Sequence, residues 1–414
     1  MTPFGYTMLG FGGGANRVEI AEDLTFSEAN IESVTDIHIQ NMWRFEIDPF
    51  NANRIIALYR DDGTYGNDCQ VVCGTIAADK NSVAWGTVVE WHAYYPDNMD
   101  FAWDHATEGS FIITGAVRGT GTAYHEARAG TVDSGTTITL GSAVDLSYAG
   151  SRDNPQMQDV IFNPAQAGQV IALNHRFNNL GGANYRCVDI KILTISGTTI
   201  THVNSQLAID ENCANSTISM DVGANNKGFI STNATSGYPS VWPFTMSGNT
   251  FSLGSKHIVN SATCTEQIDS CSGELAGRVM CVYRADNDFF VAVGNNDGGT
   301  ITFGTAVKAF DNDTEGGILI YPFIECDLNT PGKFLSVCNI NQTNPCRGVV
   351  GTIADADTIT YGTVANILGG STADIVQDIF RDPHNPGLIY TAHSHTGDSS
   401  NSKLVGSQLA SFEL

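Results

Sequence analysis

"TITFGTAVKAF" runs from Thr300 to Phe310, and "TITYGTVANIL" runs from Thr358 to Leu368. In both phrases threonine alternates with apolar residues, as in a half-buried β-strand, and the strand ends on an aromatic residue followed by glycine. The two phrases start 58 positions apart (358 − 300). Weaker copies continue the series at steps of 50 to 62 positions, with equivalent residues at Trp85, Leu140, His202, Leu253, Phe303 and Tyr361. The spacing predicts a repeat protein.

A second motif has the same period. An Asp, Asn or Ser residue is followed five positions later by Gly or Asn and then by an apolar run, as in "NPAQAGQVIALN" from Asn163. Such side chains accept hydrogen bonds from the backbone of their own turn, and Gly or Asn tolerates a positive φ, so each copy predicts a tight turn between two strands. The seven copies begin at Asp48, Asp104, Asn163, Asp221, Ser272, Asp327 and Asp382.

The two motifs together predict the fold. Four short antiparallel strands per repeat, with no helical periodicity between them, are typical of a propeller blade. We therefore expect an all-β protein with one seven-bladed β-propeller domain over residues 17–414. Only 32 residues (414 − 382) follow Asp382, and "AEDLTFSEANI", from Ala21 to Ile31, resembles the strand phrase. The N-terminal strand is expected to close the last blade and remove its exposed edge.

Residues 1–16 precede the first repeat. They contain a run of large apolar side chains before the Gly12–Gly14 stretch, and these could belong to a flexible tail or to an arm that docks on a neighbouring subunit. The apolar density favours the assembly arm, because flexible tails are usually polar. The candidate arm residues are Phe4, Tyr6, Met8, Leu9 and Phe11.

Composition excludes several classes of function. The chain has 20 basic and 44 acidic residues and a net charge of −24, so a nucleic acid would be repelled. It has no apolar run of about 20 residues and no basic segment at its start, so neither membrane insertion nor Sec export is expected. Ten cysteines occur without paired C-x2-C spacing and are expected to be mostly buried free thiols.

The sequence contains two clusters that are candidate functional sites. His393 and His395 would share a strand face, but His393 falls at an ordinary repeat position. The stretch "WHAYYPDNMDFAWDH" combines aromatic residues with Asp97, Asp100 and Asp104, a composition that resembles a sugar-binding surface. Asp104 is already explained as a turn residue, and an inter-blade loop with a strand pair is the favoured interpretation. The turn carboxylates are also candidate Ca²⁺ ligands. Capping of backbone amides explains Asp, Asn and Ser at these positions equally well. The sequence predicts no catalytic residue, metal or cofactor.

The "TITFGTAV" phrase, the "DPHNPG" turn and the "FGYTMLGFG" opening resemble the β-propeller repeats of structural proteins in tailed bacteriophages, particularly marine ones. The resemblance covers residues 21–414 as repeats and the first 16 residues loosely as an attachment arm. It implies a non-enzymatic virion protein of the tail, fibre or capsid-decoration type, assembled in the host cytoplasm and released by lysis. The implied partners are other copies, other virion proteins and a host-surface glycan or protein.

Two alternatives remain open from the sequence. The first is a carbohydrate-binding or carbohydrate-active propeller, which would need several carboxylates around the central channel. The second is a scaffold for protein partners, which the sequence does not distinguish from a virion component.

Overall fold

The computed structural model describes residues 25–27 and, apart from short gaps in the loops, residues 44–408. The described residues form 33 strands and one short helix, α1 (Asn312–Glu315). Neighbouring strands in each sheet pair antiparallel, and the strands group into seven sheets. The prediction of an all-β propeller is confirmed, and each sheet is one blade.

The blades follow the chain order. Blade 1 contains β2 (Arg44–Ile47), β3 (Arg54–Asp61), β4 (Asp68–Ile76), β5 (Val83–Trp85) and β6 (Val89–His92). Blade 2 contains β7 (Pro96–Trp103), β8 (Ser110–Arg118), β9 (Ala123–Val132), β10 (Ile138–Leu140) and β11 (Val144–Asp145). Blade 3 contains β12 (Gln158–Phe162), β13 (Gln169–Asn178), β14 (Tyr185–Ser196) and β15 (Thr199–Ile209).

The remaining blades repeat this arrangement. Blade 4 contains β16 (Cys213–Met220), β17 (Lys227–Ala234), β18 (Pro239–Ser247), β19 (Thr250–Leu253) and β20 (His257–Ile258). Blade 5 contains β21 (Cys264–Ser272), β22 (Arg278–Ala285), β23 (Asp288–Asp297), β24 (Thr300–Phe303) and β25 (Val307–Phe310). Blade 6 contains β26 (Leu319–Cys326), β27 (Lys333–Ile340), β28 (Asn344–Asp355), β29 (Thr358–Tyr361) and β30 (Ala365–Asn366). Blade 7 contains β31 (Asp374–Arg381), β32 (Leu388–His395), β33 (Ser402–Gln408) and β1 (Thr25–Ser27).

The first strand of each repeat is the innermost strand of its blade, and these strands form a closed ring. Each contacts the innermost strand of the next blade, and β31 of blade 7 contacts β2 of blade 1. Each adjacent pair of blades encloses its own apolar core, so that the described residues form seven separate cores. In the core between blades 7 and 1, the rings of Phe45 and Phe380 stack with their centroids 6.2 Å apart. Burial between blades therefore holds the ring together.

The outer strand differs from the four-strand prediction. In five blades it is divided into two short strands that both pair with the third strand, as β5 and β6 pair with β4. The division follows the conserved aromatic-glycine step of the repeat within this chain. Gly86 N donates a hydrogen bond to Cys73 O at 2.9 Å, and a Cβ at Gly86 would lie 2.5 Å from Thr136 Oγ1 of blade 2. Glycine is needed here because the neighbouring blade approaches too closely for a side chain.

Blade 7 is closed by the N-terminal strand, as predicted. Thr25 pairs with Gln408 and Ser27 with Gly406, which places β1 at the outer edge of β33. All ten cysteines are buried and none forms a disulfide, which confirms the expected thiol state. No helix among the described residues has the length and apolar character needed to cross a bilayer.

Deleting residues 1–32 should lower the free energy of unfolding, because β33 loses its backbone partner and becomes an exposed edge. The expected loss is roughly 1–3 kcal/mol, the net value of a few backbone hydrogen bonds. Deleting only residues 1–16 is the matched control and should leave the unfolding midpoint unchanged. Urea denaturation of both truncated chains checks this, and equal midpoints for the longer deletion and the full chain would refute the closure of blade 7 by β1.

Candidate functional site

A central channel of about 910 Å³ runs along the axis of the ring. Its walls are formed by the innermost strand of every blade, and residues that precede or follow these strands line its two mouths. We call the end beside the tight turns the turn mouth and the opposite end the loop mouth. His105 and Pro383 line the turn mouth, and Asn215 and Tyr321 line the loop mouth.

Aspartate recurs at one level of this channel, four residues before the turn position of the blade. Asp100, Asp159 and Asp378 occupy this position in blades 2, 3 and 7. Each accepts a hydrogen bond from a backbone N–H on the next blade: Val160 N at 2.6 Å, Ile218 N at 2.7 Å and Phe45 N at 2.7 Å respectively. The carboxylates therefore join neighbouring innermost strands that share no β-ladder.

Blade 5 carries a fourth aspartate at this level because its turn is one residue shorter. In blade 5, Gly273 N donates to the carbonyl oxygen of Arg278, five positions later (278 − 273). In blade 6, Asp327 N donates to the carbonyl oxygen of Lys333, six positions later (333 − 327). Gly273 rather than Ser272 thus occupies the turn position, and Asp269 lies four residues before it. Asp269 accepts from Ile324 N of blade 6 at 3.0 Å.

Arg44 occupies the same level in blade 1 and joins the carboxylates on either side of it. Its Nε donates to Asp100 Oδ1 at 2.6 Å and its second guanidinium nitrogen donates to Asp378 Oδ1 at 3.1 Å. Burial alone would lower the pKa of Arg44, but the two carboxylates raise it above its ordinary value. Arg44 is therefore a permanent cation in the channel wall.

Asp100 and Asp159 form a hydrogen-bonded carboxyl pair. Burial raises the pKa of Asp159 well above its ordinary value, and the charge of Asp100 and the hydrogen bond to it raise the pKa further. Two neighbouring carboxyl groups cannot both ionise at low cost, which is why the charge of Asp100 opposes the ionisation of Asp159. Asp100 also accepts hydrogen bonds from Arg44 Nε and Val160 N.

Four further acids in the channel wall, Glu46, Asp269, Asp378 and Glu325, have pKa values raised by burial. Burial, followed by the charges of Asp100 and Asp378, raises the pKa of Glu46 to about 8. Burial raises the pKa of Asp269 to about 7, and it raises the pKa of Asp378 to about 6 despite the nearby Arg44. The channel therefore contains carboxylic acids that titrate on both sides of neutral pH, which is the requirement for general acid–base chemistry.

The predicted turn residues lie at the other end of the innermost strands. Asp104 is a typical case: its carboxylate accepts from Ala106 N of its own turn at 2.9 Å and from Gly168 N of the next blade at 3.0 Å. Gly168 has a φ of 71°. A buried Asp or Asn occupies the turn position in every blade except blade 5, at Asp48, Asp104, Asn163, Asp221, Asp327 and Asp382.

Ser272 has a different role from the one predicted. Because the turn of blade 5 is shorter, its hydroxyl accepts a hydrogen bond from Val222 N of blade 4 at 3.2 Å and does not cap its own turn.

The other candidate residues are dispersed. His393 and His395 lie in β32 and Asp97 lies in β7, whereas Asp100 points into the channel. Residues 1–16, with the candidate arm residues Phe4 to Phe11, lie outside the described residues. Within the described part of the chain, no group of three or more His, Cys, Asp or Glu side chains is arranged to hold a metal ion. The carboxylates of the channel are instead bonded to N–H groups and Arg44.

The comparisons with known proteins support the propeller fold. No protein-family model matches this sequence, and no curated protein matches it either. The periplasmic gluconolactonase PpgL of Pseudomonas aeruginosa has a similar structure, with a TM-score of 0.52 and 9% identity over 76% of this chain and 83% of that chain. A putative 6-phosphogluconolactonase of Bacteroides uniformis has a TM-score of 0.48 and 11% identity over 76% and 82% of the two chains.

A third similar structure is that of Sqt1. Sqt1 of Chaetomium thermophilum has a TM-score of 0.45 and 9% identity over 74% of this chain and 71% of that chain. The Sqt1 propeller has also been solved bound to the N-terminus of the ribosomal protein L10.

The expectation that the protein is not an enzyme is wrong. Similar propellers include a gluconolactonase, so the fold does not favour a purely structural role. Six carboxyl groups of described residues line the channel beside two arginines, at Glu46, Asp100, Asp159, Asp269, Glu325 and Asp378.

Glu46→Gln should change how stability depends on pH. The pKa of Glu46 is about 8 in the folded protein against an ordinary 4.5, so the folded state keeps a proton that the unfolded chain releases. This contribution to stability is complete below about pH 4.5 and is lost as the pH rises to about 8. The variant should therefore gain stability relative to the wild type between these values, measured by urea denaturation. Exposed Glu90→Gln is the control, and parallel profiles for Glu46→Gln and the wild type would contradict the assignment.

Proposed function

We propose that the central channel is the active site of a hydrolase whose substrate is an uncharged carbohydrate-derived lactone. The observation that supports this most is the Asp100–Asp159 pair beside Arg44 in the channel, where the raised pKa of Asp159 favours its protonated form. A carboxylic acid next to a carboxylate supplies the acid and the base for attack of water on a carbonyl group. The gluconolactonase of similar fold supplies the substrate class to test first.

The pair can complete the reaction without another group. The oxygen of a water molecule attacks the lactone carbonyl carbon while the Asp100 carboxylate takes one proton from that water. Asp159 donates its proton to the ring oxygen as the carbon–oxygen bond breaks, which gives a hydroxy acid. The pair again holds one proton, now on Asp100, and it returns to Asp159 across their hydrogen bond. Arg44 and Val160 N stabilise the carboxylate of Asp100 at the start of each cycle.

The charge of the channel selects among lactones. Six carboxyl groups and two arginines of described residues line it, so a phosphorylated substrate would be repelled and an uncharged one accepted. The product is a carboxylic acid that ionises at neutral pH. The same negative charge then favours its release.

Asp159→Asn and Asp100→Asn should each lower the rate of lactone hydrolysis by about 10²–10⁴-fold, the usual contribution of a general acid or base. Proton release from glucono-δ-lactone, corrected for spontaneous hydrolysis, measures the rate, and 6-phosphogluconolactone should react more slowly. Asp297→Asn is the control, because Asp297 is exposed in β23 and does not line the channel. Wild-type rates in both channel variants would reject the proposed function. Cleavage of neutral glycosides but not of lactones would also reject the lactone substrate and would instead make the channel the site of a carbohydrate-active propeller that acts on glycosides.

We also propose a setting for this activity: the protein is a component of a tailed-phage virion that carries the propeller at the particle surface. The support is the repeat-phrase resemblance and the apolar character of residues 4–11. Other copies of the chain, other virion proteins and a host-surface glycan or protein are the proposed partners.

Replacing Phe4, Tyr6, Met8, Leu9 and Phe11 together by serine should leave the propeller folded but prevent its incorporation into particles. Five large apolar side chains buried on a neighbour would contribute on the order of 5–10 kcal/mol before ordering costs. Mass spectrometry of purified particles measures incorporation, and the wild-type chain supplied in the same way is the control. Normal incorporation of the substituted chain would show that the blades make the contacts.

A further inference from the structure

Two cysteine thiols from neighbouring blades are in contact at the interface between blades 5 and 6. The sulfur atoms of Cys271, in β21, and Cys326, in β26, are 3.0 Å apart. Both strands are the innermost strands of their blades and belong to different sheets. The sulfur atoms of a disulfide are about 2.05 Å apart, so the two atoms need to approach by only about 1 Å. The contact therefore places two thiols in position to form a covalent bond between blades.

The same distance makes a metal ion a poorer occupant of this contact than a covalent bond. Two thiolates that bind one tetrahedral zinc ion at about 2.3 Å are about 3.8 Å apart. Met280 Sδ, which would be a third soft ligand, is only 3.2 Å from Cys326 Sγ. A metal ion would have to push these sulfur atoms apart, whereas a disulfide draws two of them together.

The two thiols differ in their access to the channel. Cys271 lines the channel and is 7% exposed, whereas Cys326 is fully buried and is not among the described residues that line it. The Cys326 thiol donates a hydrogen bond to Met280 Sδ, so the Cys271 thiol is the donor in the contact between the two cysteines. A small oxidant in the channel thus reaches Cys271 first, and Cys326 lies directly behind it.

The surroundings of Cys271 keep its thiol protonated at neutral pH. Burial raises the pKa of Cys271 well above its ordinary value, and the hydrogen bond to Cys326 raises it further. The charges of Glu325 and Asp269 act in the same direction. Because the thiolate is the reactive form, the first oxidation step is slow. A second step between the two cysteines is fast, because the partner thiol is already held in contact.

We propose that Cys271 and Cys326 are an oxidisable pair that forms a disulfide between blades 5 and 6 when hydrogen peroxide enters the channel. The Cys271 thiolate attacks one peroxide oxygen, the oxygen–oxygen bond breaks, and Cys271 becomes a sulfenic acid while hydroxide leaves and takes up the thiol proton. The sulfur of Cys326 then attacks the sulfenic sulfur, and its proton leaves with the hydroxyl group as water. Two thiols are oxidised to one disulfide, and one peroxide is reduced to two water molecules.

The disulfide would strengthen a connection that the fold already makes. Asp269 joins blades 5 and 6 by accepting from Ile324 N at 3.0 Å. Cys271 lies two residues after Asp269 and Cys326 lies two residues after Ile324, so the covalent bond links the same two strands. The bond joins positions 55 residues apart (326 − 271) and restricts the unfolded chain, which raises the stability of the folded ring.

The test treats the full chain with hydrogen peroxide, alkylates the remaining thiols after denaturation and maps the peptides by mass spectrometry. We expect a linked peptide pair that contains Cys271 and Cys326, and a melting temperature raised by roughly 5 °C until dithiothreitol reverses it. Cys326→Ser should accumulate a sulfenic acid on Cys271 that dimedone traps, and Cys271→Ser should leave Cys326 reduced. Cys281→Ser is the matched control and should still form the linkage, because Cys281 is also buried in blade 5 but contacts the hydroxyl of Ser231.

The peptide map of the wild type decides the proposal even where a serine variant fails to fold. A wild-type chain that stays folded in peroxide without the linkage, or that links other cysteines instead, would overturn it. Oxidation of Cys326 in Cys271→Ser at the wild-type rate, or a linked chain that melts at the temperature of the reduced one, would also overturn it. The measurement uses no substrate, so its result is independent of the proposed hydrolysis.

Discussion

The innermost strands of neighbouring blades stand side by side without sharing a β-ladder, so their backbone N–H groups need partners from side chains. The aspartates at the channel level supply them: Asp378 bonds Phe45 N, Asp100 bonds Val160 N and Asp159 bonds Ile218 N. A buried N–H without a partner costs about as much as a lost hydrogen bond, so these carboxylates are part of the fold. The same carboxylates face the channel, and the acid chemistry of the protein therefore arises from the contacts that hold its ring together.

Much of the fold could be predicted from the sequence because each blade repeats the same local strand and turn patterns. Alternation in "TITFGTAV" marks a strand, and a residue such as Asn163 followed five positions later by Gly168 marks a turn. Two details of the fold could not be predicted from these local patterns. The outer strand divides at Gly86 because of contact with Thr136 of another blade, which no local pattern contains. The shorter turn of blade 5 moves the pattern from Ser272 to Gly273.

Less of the candidate site than of the fold could be predicted from the sequence. Asp100 enters the sequence-based prediction only as part of an aromatic stretch, and Asp159 and Asp378 do not enter it. A signal was present, since each lies four residues before a turn residue, at Asp104, Asn163 and Asp382. The role of Arg44 depends on the circular meeting of blades 7, 1 and 2, which is a property of the tertiary structure.

The pairing of β1 with β33 has a consequence for how the protein is made. During synthesis β1 leaves the ribosome before any blade exists, and its partner is the last of the described strands to appear. Blades 1 to 6 are built from neighbouring segments and can form as they emerge, but the circle waits for a contact of very long sequence separation. Until then the side of blade 1 that carries Phe45 and Ile47 has no blade 7 to cover it. The nascent chain thus has a period of exposed apolar surface, and the longer the synthesis of the last blade takes, the longer that surface is open to aggregation.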